Sequence, residues 1–237
     1  MAEIIKMSLG EFIGTFILIL LGCGVNCAIS LKQSKANGAG WVATSLGWGF
    51  AVTFGIYASA FLGPAHLNPA VTIGMVVAGI ISPRVIIPFI IAQVAGAILG
   101  AFVVWINYRD QLNATREPDT MLGCFATSPA IYHPIFNVFS EFLGTFVLQF
   151  LLLAFTRGHF THGLNPIVVG LLIMAIGLSL GATTGYAINP ARDFGPRLIY
   201  YLLPIEGKGS AEWSYSYVPI VGPIMGAVVA SLIFKLL

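Results

Sequence analysis

Six long apolar runs divide the chain, near Met7–Ser30, Trp41–Leu62, Arg84–Tyr108, Ile135–Thr156, Leu164–Thr184 and Tyr215–Leu237. Each approximates the roughly 20 residues a helix needs to cross a bilayer, and none has the short alternation of a membrane β-strand. The connectors "KQSKANGAG", "NYRDQLNATREPDT" and "PIEGKGSAEW" hold most of the charged residues, as the cost of charge in hydrocarbon requires. The pattern predicts an all-α membrane protein with six transmembrane helices and both termini on one side. The first run lacks the ordered basic region, short apolar core and cleavage site of a signal peptide. It therefore reads as a retained helix.

Two further apolar segments, His66–Ile80 and Asn189–Leu203, are too short to cross, and each starts at a proline-containing break. At membrane depth such segments read as re-entrant half-helices, and their irregular backbone is tolerated only where protein buries it or it lines a wet cavity. The chain also repeats itself. "EFIGTF" at Glu11 returns as "EFLGTF" at Glu141, 130 residues on; "NPAV" at Asn68 returns as "NPAR" at Asn189, 121 on; "GAILGA" at Gly96 returns as "GPIMGA" at Gly222, 126 on. Each half thus holds three spans and one half-helix. Three is odd, so the second half enters from the opposite face, giving an inverted repeat whose broken segments meet near the midplane. Residues 1–110 form the first inverted half, 111–134 a connecting loop and 135–237 the second half of a single domain spanning 1–237.

Composition narrows the class. Of 237 residues, 57% are hydrophobic and 8% charged, against roughly 25% charged in a soluble domain, so lipid is the solvent. A net charge of +2 without a basic run excludes a nucleic-acid partner. Cys23, Cys27 and Cys124 form neither a disulfide framework nor a metal pattern. Cys23 and Cys27, one helical turn apart in an apolar run, read as packing residues.

The breaks themselves carry chemistry. In each Asn-Pro-Ala, proline suits the first helical turn and asparagine is a preferred cap. Two half-helices entering from opposite faces aim their N-termini at the centre, each bringing about half a positive charge that repels cations. Any amide N–H left free on Asn68 or Asn189 is a donor for a passing oxygen. The pair points to a site for neutral, oxygen-bearing solutes. Unwound "GPAHL" and "TTGYA" cannot pair their own carbonyls helically, so Pro64, Ala65, His66 and Leu67 in one half and Gly185, Tyr186 and Ala187 in the other are read as backbone acceptors lining the pore. His66 has no second metal ligand at suitable spacing and reads as pore lining or loop packing. No metal or cofactor is expected.

With paired "NPAVT" and "NPARDFGPR" motifs in two such halves, the chain resembles the aquaporin superfamily, the major intrinsic proteins, over nearly its whole length, and within it the glycerol facilitator branch. The resemblance implies an aquaporin-like fold, a homotetramer with one pore per subunit, and Asn68 and Asn189 as central donors. It also implies a selectivity filter near the extracellular mouth made of Trp48, Gly177, Tyr186 and Arg192. Arg192 would donate to solute oxygens and oppose cations. Water-selective members place histidine at the Gly177 position. Glycine there is expected to leave a wider, more apolar opening, with Trp48 and Tyr186 offering ring faces to a carbon skeleton. Tyr186 departs from the branch, which commonly has phenylalanine; its hydroxyl is expected to narrow the opening or to favour water and smaller solutes.

Asp193, Arg197 and Pro219-Ile220 agree with polyol transport in that family. Asp193 is expected to widen the loop around the constriction by holding local backbone or Arg197, a surface ion pair being the alternative. Glu11 and Glu141 are equivalent acids in apolar spans that need donors, and in the family such acids brace the pore loops; a proton relay lacks a connecting chain of titratable groups. A secondary transporter would share the inverted repeat but needs ionisable coupling residues at the midplane, and an intramembrane enzyme needs a nucleophile–base set that does not stand out. The expected function is a passive channel for glycerol, related small uncharged solutes and water, excluding ions and protons, with a mainly water-selective channel as the alternative. Dihydroxyacetone, urea and lactic acid are further candidate solutes. The resemblance places the protein in the cell membrane with cytoplasmic termini, although basic residues in the opposite connectors outnumber Lys6, Arg84, Arg157 and Lys235, against the usual charge bias.

Overall fold

A computed structural model describes residues 1–158 and 160–237. Its described residues form α1 (Ala2–Ser30), α2 (Gly40–Tyr57), α3 (Pro69–Val77), α4 (Ile86–Thr115), α5 (Pro118–Phe125), α6 (Pro134–Arg157), α7 (Asn165–Leu180), α8 (Pro190–Leu202) and α9 (Val218–Phe234). At about 1.5 Å per residue, α3 and α8 are too short to cross a bilayer about 30 Å thick. The other long helices are α1, α2, α4, α6, α7 and α9. Four of them (α1, α4, α6 and α7) are long and apolar enough to cross on those grounds alone. The shorter α2 and α9 are placed by their neighbours: α2 packs on α1 and α7, and α9 on α6 and α3.

The packing follows the repeat. α1 lies against α4 as α6 lies against α9, and each half-helix packs on the last long helix of the other half, α3 on α9 and α8 on α4. The α1–α4 and α6–α9 crossings depend on absent side chains. A Cβ on Gly100 would stand 2.8 Å from the Phe16 carbonyl oxygen, and one on Gly226 2.9 Å from the Phe146 nitrogen. The "GAILGA" and "GPIMGA" segments thus let backbones touch, as small residues do between membrane helices. Phe50, Phe54, Ile91, Ile106 and Leu171 are more than half exposed. Exposed apolar side chains this numerous face lipid rather than water.

The connecting segment 111–134 carries more structure than its polar sequence suggests. α4 continues past a non-helical Tyr108 (φ −113°, ψ 15°) to Thr115 and ends at a left-handed Arg116. α5 then begins with Pro118 in its first turn and buries Met121, Leu122, Cys124 and Phe125. All three cysteines are buried and unpaired by disulfides. α5 also brings the Phe125 carbonyl to the centre of the bundle, where it accepts from Arg192.

Candidate functional site

Two loops of strained backbone meet inside the bundle. Ala65 (φ 53°) and Leu67 (φ 54°) in one, and Tyr186 (φ 38°) and Ile188 (φ 43°) in the other, adopt left-handed conformations that cost a non-glycine residue on the order of 1–3 kcal/mol each. A buried carboxylate holds each loop. Glu11 accepts from His66 N–H (2.8 Å) and Leu67 N–H (2.7 Å), and Glu141 from Ala187 N–H (3.0 Å) and Ile188 N–H (2.7 Å). Successive N–H groups curled around an anion in this way form a nest. Gln93 Nε2 adds a third bond to Glu11 at 2.8 Å, and Thr184 Oγ1 a third to Glu141 at 2.8 Å.

The nests fix where the carbonyls go. In a planar trans peptide the C=O of one residue points opposite to the N–H of the next. With the N–H groups of 66, 67, 187 and 188 turned to the glutamates, the carbonyls of Ala65, His66, Tyr186 and Ala187 point away from them, and these four residues line a cavity. Pro64 lines the same cavity and Gly185 a second one. Leu67 differs from the expectation of a bare acceptor, because Asn189 Nδ2 donates to its carbonyl at 2.8 Å. In the other half Asn68 Nδ2 donates to the Ile188 carbonyl at 2.7 Å.

Each asparagine therefore joins three elements. Asn68 Oδ1 accepts from Ala70 N–H (2.9 Å) and Val71 N–H (3.4 Å), and Asn189 Oδ1 from Ala191 N–H (3.1 Å) and Arg192 N–H (3.2 Å), capping α3 and α8. One amide N–H ties each cap to the loop of the opposite half. An amide nitrogen carries two hydrogens, so one donor per asparagine remains for the cavity that both residues line.

Among the described residues, two cavities lie end to end inside the bundle. One, of about 500 Å³, opens on the side of the termini, where the Tyr57 hydroxyl meets the Gly163 carbonyl (2.6 Å) and Lys235 Nζ approaches the Val77 carbonyl (3.4 Å). The other, of about 340 Å³, opens on the far side, between Ser30, Gly38 and Ser128. Among the described residues, they share Trp48, Tyr186 and Arg192 and no other. The wall of the larger cavity is divided by chemistry: Val52, Ile56, Leu148, Leu152, Val169 and Ile173 supply apolar surface from three long helices, α2, α6 and α7, while the loops, the two asparagines and Arg192 supply donors and acceptors.

At the junction the Arg192 guanidinium carbon lies 4.2 Å from the Trp48 ring centre, and Nη1 donates to the Phe125 carbonyl at 3.2 Å. Trp48 Nε1 is anchored on Asn26 Oδ1 (3.0 Å). Among the described residues no carboxylate pairs with Arg192, so its charge stands uncompensated beside the passage. Asp193, next in the chain, faces away. Its Oδ2 accepts from Thr127 N–H (2.8 Å) and Thr127 Oγ1 (2.7 Å), and its Oδ1 from Arg197 Nε (2.8 Å). Both partners of this pair are fully buried, at 1% and 0% exposure, which rules out a surface ion pair. Arg197 also donates to the carbonyls of Thr127 and Ala211, each at 2.7 Å, pinning the loop that follows Phe125.

Gly177 needs correction as an opening. It lines neither cavity, because the Tyr186 ring fills the room its missing side chain leaves: a Cβ there would sit 2.8 Å from Tyr186 Cζ and 3.0 Å from Ser45 Oγ. The Tyr186 hydroxyl is buried in that wall, on the same side of the ring as the Ser45 hydroxyl. The pore therefore meets the ring of Tyr186 and not its oxygen. Phe125, Thr127, Ile188, Gln93 and Asn26 were not foreseen as parts of the site. Of these only Gln93 and Asn26, polar side chains in apolar runs, carry a sequence signal.

The family model "Major intrinsic protein" matches residues 1–234. Glycerol uptake facilitator protein 3 of Lactiplantibacillus plantarum is 59% identical over 229 residues, covering 97% of this chain and 95% of that protein. The glycerol uptake facilitator protein of Streptococcus pneumoniae is 48% identical over 227 residues, covering 96% and 97%. The X-ray structure of the aquaglyceroporin from Plasmodium falciparum superposes with a TM-score of 0.88 at 32% identity, over 98% of this chain and 96% of that one.

Proposed function

The chain belongs to the major intrinsic protein family, in its glycerol facilitator branch, and from that membership and the geometry of its junction we propose that it conducts glycerol passively across the cell membrane. The observation that carries the reading is the meeting of two cavities at Trp48, Tyr186 and Arg192, alone among the described residues. Two rings and one uncompensated guanidinium suit a solute with carbon on one side and hydroxyls on the other. The larger cavity repeats that division, with aliphatic side chains facing a row of loop carbonyls and the free N–H groups of Asn68 and Asn189. A polyol can exchange its hydration shell for these groups without leaving a hydroxyl unpaired, the condition that makes buried polar surface tolerable.

Water shares the same donors and acceptors and passes with glycerol in this reading. Cations are opposed at the junction by Arg192, and at the centre by the positive N-terminal ends of α3 and α8. Both termini lie in the cytoplasm and four copies assemble, each with its own pore. Uptake of labelled glycerol into vesicles reconstituted with the purified protein tests the proposal: uptake that needs no ion gradient and equilibrates the solute supports it. Uptake that requires a sodium or proton gradient assigns a coupled transporter instead.

A further inference from the structure

Tyr186 narrows the passage, yet its position is decided behind it, on α7. Gly177, near the end of α7, and Gly181, at the start of the short 3-10 turn Gly181–Thr183, stand four residues apart and so share one face. The Tyr186 ring lies across both. A Cβ on Gly177 would approach Cζ and Cε2, and a Cβ on Gly181 would overlap Cδ1 and stand 2.9 Å from Cγ. The outer end of this slot is closed by Trp41. Its ring meets Tyr186 edge-on at 5.6 Å, and its Nε1 donates to the Gly177 carbonyl at 2.9 Å. The backbone of Tyr186 is fixed as well, since Ala187 N–H is bound to Glu141. With α7 behind, Trp41 at one end and the backbone held, a ring pushed off the slot has the passage to move into.

We propose that Gly181 is a specificity-determining position of this pore, acting through Tyr186 although it lines neither cavity. The absence of a side chain at 181 lets the ring lie back against α7 and leaves room for a solute with a carbon chain. The inference rests on the glycerol-channel reading for the solute named, and on the slot alone for its direction.

Vesicles reconstituted with wild-type protein, Gly181→Ala, Tyr186→Ala and the double variant separate the two. Gly181→Ala is expected to lower glycerol permeability about tenfold, the low end of what one misplaced methyl-sized group does in an apolar site, and water permeability by a smaller factor. Removing the ring in the double variant restores glycerol permeability to that of Tyr186→Ala. Equal proportional losses of glycerol and water in Gly181→Ala, or a double variant no faster than Gly181→Ala, overturn the proposal in favour of a general packing defect. If wild-type vesicles pass no glycerol, the substrate reading fails. The slot is then judged on water permeability, which Gly181→Ala must lower and the double variant restore.

Discussion

The guanidinium carbon of Arg192 lies 4.2 Å from the centre of the Trp48 ring, and this contact sets the chemistry of the narrow junction. A cation–π contact draws on the charge of the guanidinium, and its N–H donors serve other partners. Phe125 takes one of these donors. Trp48 cannot turn away, because its own N–H is held by Asn26. The result is a fixed cation with donors to offer and, among the described residues, no carboxylate paired with it.

Arg192→Ala removes both the charge and the N–H donors of the guanidinium. Proton or sodium leak through reconstituted vesicles is expected to rise by about tenfold or more, as the loss of a focused positive potential implies. Dye-reported ion flux checks this; an unchanged leak would place the cation barrier elsewhere, at the α3 and α8 N-termini.

Tyr186→Phe deletes a hydroxyl that is buried in the wall behind the passage. Any hydrogen bond lost lies in the wall, is worth only ~1 kcal/mol and does not face the passage, so the glycerol-to-water permeability ratio is expected to stay within about twofold of wild type. A larger change in either direction would mean that the oxygen reaches the passage.

Glu141→Gln replaces an acceptor of three hydrogen bonds with an amide whose nitrogen cannot accept. Hydrogen bonds to a charged group are worth about 1.5–3 kcal/mol each, so midpoint unfolding temperature in detergent should fall by about 5 °C or more. Glu11→Gln acts in the same direction, because it too holds a nest and a side-chain donor. A wild-type melting curve for either variant would show that the strained loops stand without their carboxylates.

Asp193→Ala leaves Arg197 charged and fully buried among carbonyls. Breaking one partner of a buried pair costs about 3–5 kcal/mol, and recovery of monodisperse protein by size exclusion is expected to collapse. Normal recovery with normal stability would mean that the Thr127 and Ala211 carbonyls alone satisfy the guanidinium.

Much of this architecture is legible in the sequence because its signals are local and repeated. Asn68-Pro69 and Asn189-Pro190 break apolar runs at matching places, and Glu11 and Glu141 recur in near-identical hexapeptides. Contributions made by backbone are not legible. The carbonyls of Phe125 and Ile188 each receive a side-chain donor from another element, and no residue type marks such an acceptor. Gly177 misleads for a related reason. Glycine marks an absence, and the sequence does not say that a ring nine residues later fills it. α5 is hidden because eight residues between polar connectors are too few for a clear periodic pattern.

The central claim is that a neutral three-carbon polyol passes the Trp48–Tyr186–Arg192 junction by diffusion. Stopped-flow light scattering of reconstituted vesicles exposed to an inward glycerol gradient tests it most directly, through the rate of re-swelling after the initial shrinkage. A re-swelling rate well above that of protein-free vesicles, independent of ion gradients, is predicted. Rapid water-driven shrinkage followed by glycerol entry no faster than in protein-free vesicles would contradict the claim and leave a water channel in its place.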